Sequence, residues 1–404
     1  MYLQLLEQGI RYGVLYIHLP GGQLHRFGTH GPEAHWHVKN EAVIGKIAKD
    51  WEWQLGETYM NGDWDVADCD LGDLLFILRA NFSTPETSKL LQPFFRLLQQ
   101  WNRISRSYKN VKRHYDFDEQ FFRLFLDEDM HYSCAYFTSE EQSLEQAQQE
   151  KCRHIANKLL IGPGQKVLDV GCGWGSLACY LAQQADVEVV GITLSQEQLQ
   201  VAKRRAEERA VNNVSFHLQD YREHDGQYDR IVSVGMFEHV GRPYHLTYFQ
   251  CLKNLLCDDG VAHVHTIGRS GPPRVTNPWI QQYIFPGGSI PALSEIAQAT
   301  ERTNLLLTDV EVLRLHYATT LNIWRRRFRN HRAQICASKG ERFCRMWEFY
   351  LTICEVAFRC SDLVVFQLQL AKKHGVVPIT RDYLHGSQQT FETLGDKLPA
   401  CNEV

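Results

Sequence analysis

Residues 167–175 read Val-Leu-Asp-Val-Gly-Cys-Gly-Trp-Gly, an apolar run that ends in alternating glycines. The pattern predicts a strand at 166–170, and the residues at 174–184 predict a helix that follows it. A glycine-rich turn between a strand and a helix lets a ligand approach the backbone closely at the edge where a parallel sheet opens. The stretch therefore predicts a ligand-binding loop in an α/β fold.

The chain around this loop alternates predicted strands and helices. Further strands are predicted at 187–192, 214–218, 230–234 and 261–266, and a long helix is predicted at 195–210. Such alternation is typical of a doubly wound sheet with parallel strands. Ligands bind to these sheets outside the carboxyl ends of the strands, so the functional residues are expected at that edge.

The spacing of the glycines indicates which ligand the loop takes. It is GxGxG, whereas a dinucleotide fingerprint is GxGxxG with an acidic residue about 20 residues further on. The second strand ends in Gly-Ile-Thr-Leu-Ser at 191–195, without an acid that would hold a ribose diol. The spacing favours S-adenosylmethionine over NAD, and a glycine-rich turn without a ligand is the structural alternative. The residues assigned to the cofactor in this stretch are Val167, Asp169, Gly171, Gly173 and Gly175.

Two later positions are weaker candidates for cofactor contacts. Ser195 and Gln198 have the spacing of a helix capping box, which explains them as well as a ligand role does. Asp220 and Tyr221 follow the third strand, where the Asp would accept a hydrogen bond from an adenine amine and the Tyr would cover the ring. Without a ligand, the same pair is an ordinary turn.

Acid–base residues are expected at the same edge of the sheet. Glu238 and His239 follow the strand at 230–234, and His265 closes the strand after it. A carboxylate and an imidazole at adjacent strand ends can bind and orient an acid–base group. Tyr317 is a further candidate for this edge. Taken singly, each of these residues is more often a structural polar group, and their shared position is what indicates function.

The chain is expected to divide into two main domains. The predicted divisions are a small α+β domain at 1–95, a helical linker at 96–110, the α/β domain at 111–385 and a loose polar tail at 386–404. Within the first of them, alternating stretches predict strands at 12–19 and 35–38, and a helix is predicted at 70–80. The segment 55–66 contains several residues that favour turns, so a turn is predicted there.

Composition narrows the class of protein. The 404 residues carry 43 Lys plus Arg against 47 Asp plus Glu, a net charge of −4, which disfavours a nucleic-acid-binding protein. The 12 cysteines include no CxxC pair, so no metal site is predicted, and the N-terminus does not resemble a signal peptide. The longest charge-free stretch, 275–294, contains three prolines and is typical of a loop rather than a membrane span. These features indicate a reduced, cytoplasmic protein.

Six motifs together resemble one family. They are His-Tyr-Asp at 114–116, Met-His-Tyr-Ser-Cys-Ala-Tyr-Phe at 130–137, the loop at 167–175, Val-Gly-Ile-Thr-Leu-Ser at 190–195, the stretch 230–241 and His-Thr-Ile-Gly at 265–268. In this order they resemble the cyclopropane fatty acid synthases and mycolic acid cyclopropane synthases, a family of S-adenosylmethionine-dependent methyltransferases. The first 95 residues resemble the N-terminal domain of the longer members. The resemblance implies a Rossmann-like class I methyltransferase domain.

The resemblance also implies a reaction and the residues that perform it. A methyl group would pass from S-adenosylmethionine to a cis double bond of an unsaturated phospholipid acyl chain, and a bound bicarbonate would remove a proton so that a cyclopropane ring closes. The implied bicarbonate cage is Cys134, Glu238, His265, Tyr317 and the backbone of Ile267. The implied cofactor positions are Tyr132, Ser133, Gly171, Gly173, Thr193, Gln198 and Tyr221.

Cys354 is the last candidate for a catalytic role. It lies on a helix predicted at 343–358 from the spacing of its apolar residues. It also matches a cysteine sometimes proposed as catalytic in the family that the chain resembles. The implied chemistry needs no covalent enzyme intermediate, because the alkene itself attacks the methyl group. A packed, inert thiol is therefore the simpler interpretation of this position.

A bilayer substrate and a chain without a predicted span imply peripheral docking at the inner face of the membrane. Residues 324–329, Trp-Arg-Arg-Arg-Phe-Arg, form a basic and aromatic cluster that would suit an anionic lipid surface, and a helix face with internal ion pairs is the alternative. The resemblance also implies a homodimer. Two other functions stay open: a fatty-acyl methyltransferase that leaves a methyl branch or a methylene group, and a lipid-binding protein without activity.

Overall fold

The computed structural model describes residues 2–67, 70–82 and 119–385. The chain forms two compact units, and each unit is assembled from three separate stretches of sequence. The first unit spans residues 1–134, 268–292 and 313–365, and the second spans residues 135–267, 293–312 and 366–404. The predicted domain boundaries at 95 and 110 and the predicted tail fall outside the described residues, so that division stays a prediction.

The first unit begins with a small α+β arrangement. Its strands are β1 Val14–His18, β2 Leu24–Phe27, β3 Glu33–Val38 and β4 Trp64–Val66, which lie in the order β2-β1-β3-β4. Its first described helices are α1 Tyr2–Gly9, α2 Ala42–Lys49, α3 Trp51–Met60, α4 Leu71–Asn81 and α5 Glu119–Arg123. Along β3, buried and less buried residues alternate, as expected for a sheet with one face on the core. The predicted strands and the helix predicted at 70–80 are confirmed.

The turn predicted over 55–66 is confined to the residues that follow α3. The helix continues to Met60, and β4 begins at Trp64. Gly56, which suggested a turn, lies inside the helix, where a Cβ atom would come within 2.6 Å of the indole nitrogen of Trp279. This glycine allows a close approach of the tryptophan ring, and the prediction of a turn was wrong over 55–60.

A seven-stranded sheet dominates the second unit. Its strands are β5 Lys166–Val170, β6 Glu188–Thr193, β7 Val214–Leu218, β8 Tyr228–Val234, β9 Leu256–Arg269, β10 Leu306–Leu313 and β11 Leu363–Ala371. They lie in the order β10-β11-β9-β8-β5-β6-β7. β5 pairs in parallel with both β6 and β8, and the pairs β6–β7 and β8–β9 are parallel as well. The predicted Rossmann-like α/β fold, preceded by an α+β arrangement, is confirmed.

The core of the second unit lies along this sheet. β5 and β6 are buried almost throughout, which matches the continuous apolar runs of parallel strands that are covered on both faces. The described α-helices of this unit are α6 Leu144–Leu159, α7 Ser176–Gln184, α8 Gln196–Glu208, α9 His245–Leu255 and α11 Leu293–Glu301. One apolar cluster joins residues of β5 and β6 to residues of α6, α7 and α8. The loop between β5 and α7 is therefore held on a rigid support.

Several elements escaped prediction from the sequence. They include β10, β11 and the helix α10 Pro278–Tyr283, which lies within the stretch predicted as a loop. Asn277 caps α10 by accepting a hydrogen bond from the N–H of Ile280 at 3.1 Å. Proline at the first helical position is compatible with this start, because no helical hydrogen bond is lost there. The loop prediction was wrong over this helix.

The remaining described helices of the first unit are α12 His316–Asn330, α13 Arg332–Lys339 and α14 Glu341–Cys360. α14 is the periodic helix predicted around Cys354, and it packs against α3, α4 and α12. Tyr317 lies in the first turn of α12. No helix in the described part of the chain is long and apolar enough to cross a bilayer.

Candidate active site

The glycine loop of the second unit connects β5 to α7. The backbone N–H groups of Gly171 and Cys172 both donate to the carbonyl of Ile192, at 2.9 and 3.0 Å, which ties the loop to β6. Gly175 is the N-cap residue of α7 and offers no side chain to the first turn. Since the N–H groups of a first helical turn have no partner within the helix, they suit a ligand with negative charge or lone pairs.

Two glycines of the loop meet different requirements. Gly175 has a φ of +79°, and a Cβ there would lie 2.7 Å from the Cβ of Ala202 and 2.9 Å from Phe216, so a side chain would displace α8 and β7. Gly173 has a φ of +53°, but no described heavy atom lies within 4 Å of the position of its Cβ. The space beside Gly173 is open, which is what a loop that cradles a cofactor requires.

Asp169 lies in β5, just before the loop, and is 2% exposed. Its Oδ2 atom is buried and accepts no hydrogen bond from the described residues. Burial raises the pKa of Asp169 to about 7, and the Lys151 ammonium opposes that shift. A buried carboxylate without a donor is stabilised by a cationic ligand, and S-adenosylmethionine carries an ammonium group. Asp169 therefore fits the predicted cofactor.

Thr193, Ser195 and Gln198 form a polar group at the carboxyl end of β6. The hydroxyl of Ser195 accepts from the N–H of Gln198 at 3.3 Å, so the capping role of Ser195 is confirmed. The Gln198 side chain does not complete a capping box, because its Oε1 accepts from the Thr193 hydroxyl at 3.0 Å. Contacts of Thr193 and Gln198 with the cofactor stay a prediction.

Asp220 follows β7 and is fully buried. Its carboxylate accepts from Nε and Nη2 of Arg222, at 2.8 and 2.6 Å. The same guanidinium lies 5.5 Å from the centroid of the Tyr221 ring. The turn interpretation therefore describes this pair well, and any contact of Asp220 with an adenine would involve a carboxylate that is already ion-paired.

Glu238 lies in a short 3₁₀ helix, Phe237–His239, just after β8. Its Oε1 accepts from the N–H of Ile267 at 2.6 Å, while its Oε2 is buried and accepts no hydrogen bond from the described residues. Burial raises the pKa of Glu238 to about 7, against the opposing effect of the Ile267 amide. The neighbouring His239 is neutral, because burial lowers its pKa to about 4. One oxygen of Glu238 is thus held in place and the other is left for a ligand.

His265 lies on β9 beside the end of β8, where its carbonyl accepts from the N–H of Gly235 at 2.9 Å. Burial, together with the ammonium groups of Lys151 and Lys158, lowers the pKa of His265 to about 3. The imidazole is therefore neutral and offers one donor and one acceptor. The strand ends that carry Glu238 and His265 are neighbours, as predicted, since β8 and β9 pair directly.

The remaining predicted residues belong to the first unit: Tyr132, Ser133, Cys134, Tyr317 and Cys354. The Tyr132 hydroxyl lies 2.8 Å from the hydroxyl of Tyr350, and the Tyr132 ring stacks on Trp324 with centroids 5.3 Å apart. Tyr317 meets the same Trp324 edge-on at 5.9 Å, and Cys134 is buried. The first unit thus brings Tyr132 and Tyr317 into one aromatic cluster around Trp324.

Replacing Cys354 with alanine is expected to leave turnover nearly unchanged. Burial raises the pKa of its thiol to about 12, so the group is protonated at neutral pH and is a poor nucleophile. The rate of methyl transfer measures the effect, and an unfolding curve of the variant is the control. Loss of turnover in a variant that unfolds like the native protein would show that the packed-thiol interpretation is wrong.

Two features of this site escaped the sequence analysis. Gln367 on β11 places its amide Nε2 3.2 Å from Nδ1 of His265. Lys151 and Lys158 on α6 are both almost fully buried. The available signal for Gln367 was its position as one of two glutamines in an otherwise apolar strand. The lysines gave little signal, because the same residues occur on solvated helix faces.

Comparisons with known proteins identify the family. Residues 102–368 match the family model described as mycolic acid cyclopropane synthetase. The chain is 40% identical over 343 residues to the cyclopropane-fatty-acyl-phospholipid synthase of Escherichia coli strain K12, covering 83% of this chain and 87% of that protein. It is 35% identical over 361 residues to a probable fatty acid methyltransferase of Pseudomonas putida, covering 86% of this chain and 90% of that protein.

A solved structure supports the same assignment. The mycolic acid cyclopropane synthase CmaA1, complexed with SAH and CTAB, matches with a TM-score of 0.62 and 33% identity. The match covers 65% of this chain and 97% of that one. The chain therefore belongs to the mycolic acid cyclopropane synthetase family and is an S-adenosylmethionine-dependent methyltransferase.

Proposed function

We propose that the protein converts a cis double bond of an unsaturated phospholipid acyl chain into a cyclopropane ring, with S-adenosylmethionine as the methyl donor. The alkene attacks the sulfonium methyl group, which releases S-adenosylhomocysteine and leaves positive charge on the chain. A base then takes one proton from the added methyl group, and the electron pair of that C–H bond closes the ring. The name of the Escherichia coli relative supports this substrate class.

We further infer that bound bicarbonate supplies the base and is held by Glu238, His265 and Ile267. The observation that carries this inference is Glu238, whose Oε1 accepts from the N–H of Ile267 at 2.6 Å, while its buried Oε2 accepts no hydrogen bond from the described residues. Once ionised, the Glu238 carboxylate can only accept hydrogen bonds, which suits a ligand with a proton to donate, and bicarbonate has an O–H group as well as an anionic edge. Neutral His265 supplies an N–H for the anionic edge.

We infer that Ile267 would contact bicarbonate through its backbone carbonyl rather than through its N–H. Its N–H is already used by Glu238, and its carbonyl accepts from the Thr266 hydroxyl at 3.1 Å. A carbonyl oxygen has a second lone pair. Ile267 would therefore accept from the O–H side of bicarbonate, together with Glu238. Cys134 and Tyr317 join this cage on the resemblance alone.

Apart from Val167, which is near the start of β5, the contacts that we propose for the cofactor in the second unit are near or just after the carboxyl ends of β5, β6 and β7. They are Val167, Asp169, Gly171, Gly173, Gly175, Thr193, Gln198, Asp220 and Tyr221, with Tyr132 and Ser133 added on the resemblance. Asp169 has the strongest support, because its buried Oδ2 has no donor among the described residues. It would hold the ammonium group of the cofactor's methionine part.

The proposed function is tested with purified protein, methyl-labelled S-adenosylmethionine and vesicles of unsaturated phospholipid, with and without added bicarbonate. We expect label in the lipid, at a rate that rises with bicarbonate in buffer freed of carbon dioxide. Vesicles of saturated phospholipid are the matched control and should stay unlabelled. Unlabelled unsaturated lipid would contradict the proposed function, and labelling that is independent of bicarbonate would contradict the proposed base.

A second candidate product is a methyl branch or a methylene group. This candidate is supported by the name of the Pseudomonas putida relative, a probable fatty acid methyltransferase. A saturated methyl branch weighs two hydrogens more than the ring, so mass spectrometry of the lipid separates these products. A methylene group has the mass of the ring but takes up hydrogen over a mild catalyst, which the ring resists.

Because the proposed substrate lies in a bilayer, we also propose that the protein docks peripherally on the inner face of the membrane. Its assembly as a homodimer rests on the resemblance. Co-sedimentation with vesicles tests the docking, and light scattering of the purified protein tests the assembly.

A further inference from the structure

Gln367 lies on the strand next to His265. It belongs to β11, which borders β9 in the sheet, and its side chain is fully buried. Its amide Nε2 lies 3.2 Å from Nδ1 of His265. Among the described residues, no second hydrogen bond to the His265 ring is present, so the ring's Nε2 is left for a ligand.

The amide contact determines which ring nitrogen of His265 carries the proton. An amide NH₂ group can only donate, so Nδ1 accepts. Because burial lowers the pKa of His265 to about 3, the ring is neutral and has a single N–H. That N–H is therefore on Nε2, the nitrogen left for the proposed anion.

His263 lies toward the other end of the Gln367 amide. It is fully buried on β9, two residues before His265, and neither of its ring nitrogens makes a well-aligned hydrogen bond within the described residues. Burial lowers the pKa of His263, and an interaction with the Gln367 side chain opposes that shift. The Oε1 of Gln367 is itself buried and makes no well-aligned hydrogen bond to the described residues. A His263 N–H directed at this Oε1 keeps the NH₂ end of the amide toward His265.

We propose that Gln367 is a positioning residue, which holds His265 in the Nε2–H tautomer so that His265 donates a hydrogen bond to bicarbonate. This inference rests on the proposed function, and Gln367 acts through His265 rather than on the reacting atoms. Without the amide donor, the neutral ring divides between two tautomers. In the Nδ1–H tautomer the lone pair of Nε2 faces the anion and repels it.

Two variants and a matched control test this role. Gln367→Met keeps the length of the side chain and loses the donor, and Gln367→Glu puts an acceptor beside Nδ1. The control is Gln369→Met, two residues along the same strand and equally buried, because the Gln369 amide donates to the Lys158 carbonyl at 2.6 Å and not to a histidine. The control also loses side-chain hydrogen bonds, because the Oε1 of Gln369 accepts from Thr308 at 2.8 Å and from Tyr383 at 3.1 Å, so a loss of strand stability alone would appear in Gln369→Met as well.

The direct readout is the tautomer of His265, measured by long-range ¹H–¹⁵N NMR of the full chain labelled with ¹⁵N-histidine and assigned with His265→Asn. We expect the Nε2–H form in the native protein and in Gln369→Met. We expect a mixture of forms in Gln367→Met, and protonated Nδ1 in Gln367→Glu, since a carboxylate there can only accept.

The kinetic readout is the KM for bicarbonate. In Gln367→Met we expect it to rise about tenfold, which corresponds to the loss of one hydrogen bond to a charged ligand. The KM for S-adenosylmethionine should not change, because Gln367 is assigned no contact with that cofactor. Gln369→Met should leave both constants unchanged.

The outcomes separate this inference from the proposed function. An unchanged His265 tautomer in both Gln367 variants would overturn the role of Gln367. If native turnover does not depend on bicarbonate, the proposed base is wrong, and the NMR result alone then decides whether Gln367 sets the tautomer. Should Gln367→Glu fail to fold, Gln367→Met still gives both readouts.

Discussion

Replacing Glu238 with glutamine is expected to lower the rate of cyclopropane formation by about 10²- to 10⁴-fold, while S-adenosylmethionine still binds. The glutamine oxygen can still accept from the N–H of Ile267, which lies 2.6 Å from Oε1 in the native protein. The other end of the amide is then a donor that meets the O–H of bicarbonate, where the native carboxylate accepts. Turnover is measured with labelled cofactor and binding by calorimetry.

The matched control is Glu223→Gln, because Glu223 is exposed just after β7 and undergoes the same change of charge. It should turn over like the native protein. Near-native turnover of the Glu238 variant at saturating bicarbonate would contradict the assigned role. Loss of cofactor binding in that variant would mean that Glu238 acts on S-adenosylmethionine rather than on the anion.

The same variant is expected to be more stable than the native protein above pH 7. Burial raises the pKa of Glu238 from 4.5 to about 7. Between these pH values the unfolded chain releases the proton while the folded protein retains it, so the native protein loses stability as the pH rises. The loss amounts to about 3 kcal/mol above pH 7 and is absent in glutamine, which does not titrate. Denaturant unfolding of both proteins between pH 5 and pH 8 checks the sign.

Replacing Arg325 with glutamate is expected to destabilise the protein by about 3–5 kcal/mol or more. Arg325 is 6% exposed, its Nε donates to Glu355 at 3.0 Å, and its Nη1 donates to Asp70. Burial raises the pKa of Asp70, but hydrogen bonds from Arg329 and from the Gly72 N–H outweigh this effect and lower the pKa to about 2. This carboxylate therefore stays charged at neutral pH. A glutamate would put a third negative charge into this buried group. Chemical denaturation measures the loss.

Arg326→Glu is the matched control, because it makes the same change of charge at the neighbouring position, where the side chain is exposed. Its stability should stay within about 0.5 kcal/mol of the native value. If Arg325→Glu is no less stable than Arg326→Glu, the buried ion-pair description is wrong. Arg326→Glu is also the variant to use in sedimentation with anionic vesicles. An unfolded Arg325 variant would not give an interpretable result in that experiment.

These contacts decide between the two interpretations of residues 324–329. Trp324 is fully buried, and Arg329 donates to Asp70 at 2.6 Å and to Glu348 at 2.9 Å. The ion-paired helix face is therefore the better description, with Trp324 and Arg325 inside the first unit. Of the three consecutive arginines at 325–327, Arg326 alone has an exposed side chain that could contribute to a lipid-facing surface.

Local patterns in the sequence were sufficient to predict the central strands and the glycine loop between β5 and α7. β5 was predicted at its observed bounds, and the Ser195 cap was anticipated as one of two interpretations. These features depend on residues within a few positions of one another, where hydrophobic period and capping spacing act directly. The neighbouring strand ends of Glu238 and His265 also followed, because parallel strands in such sheets share a carboxyl edge. The roles of these residues came from the resemblance.

Only the tertiary structure decided which distant side chains meet. Gln367 reaches His265 across 102 positions of sequence, and Arg325 reaches Asp70 across 255. A glutamine in an apolar strand, or an arginine in an amphipathic helix, has the same local pattern whatever its partner is, so no period or spacing reveals the contact. The pKa shifts of Glu238 and His265 likewise depend on burial, which is set by the packing of several elements at once. The sequence alone thus indicated the fold class and the sheet edge at which we propose the chemistry, whereas the pairing and the protonation of the groups at that edge required the folded chain.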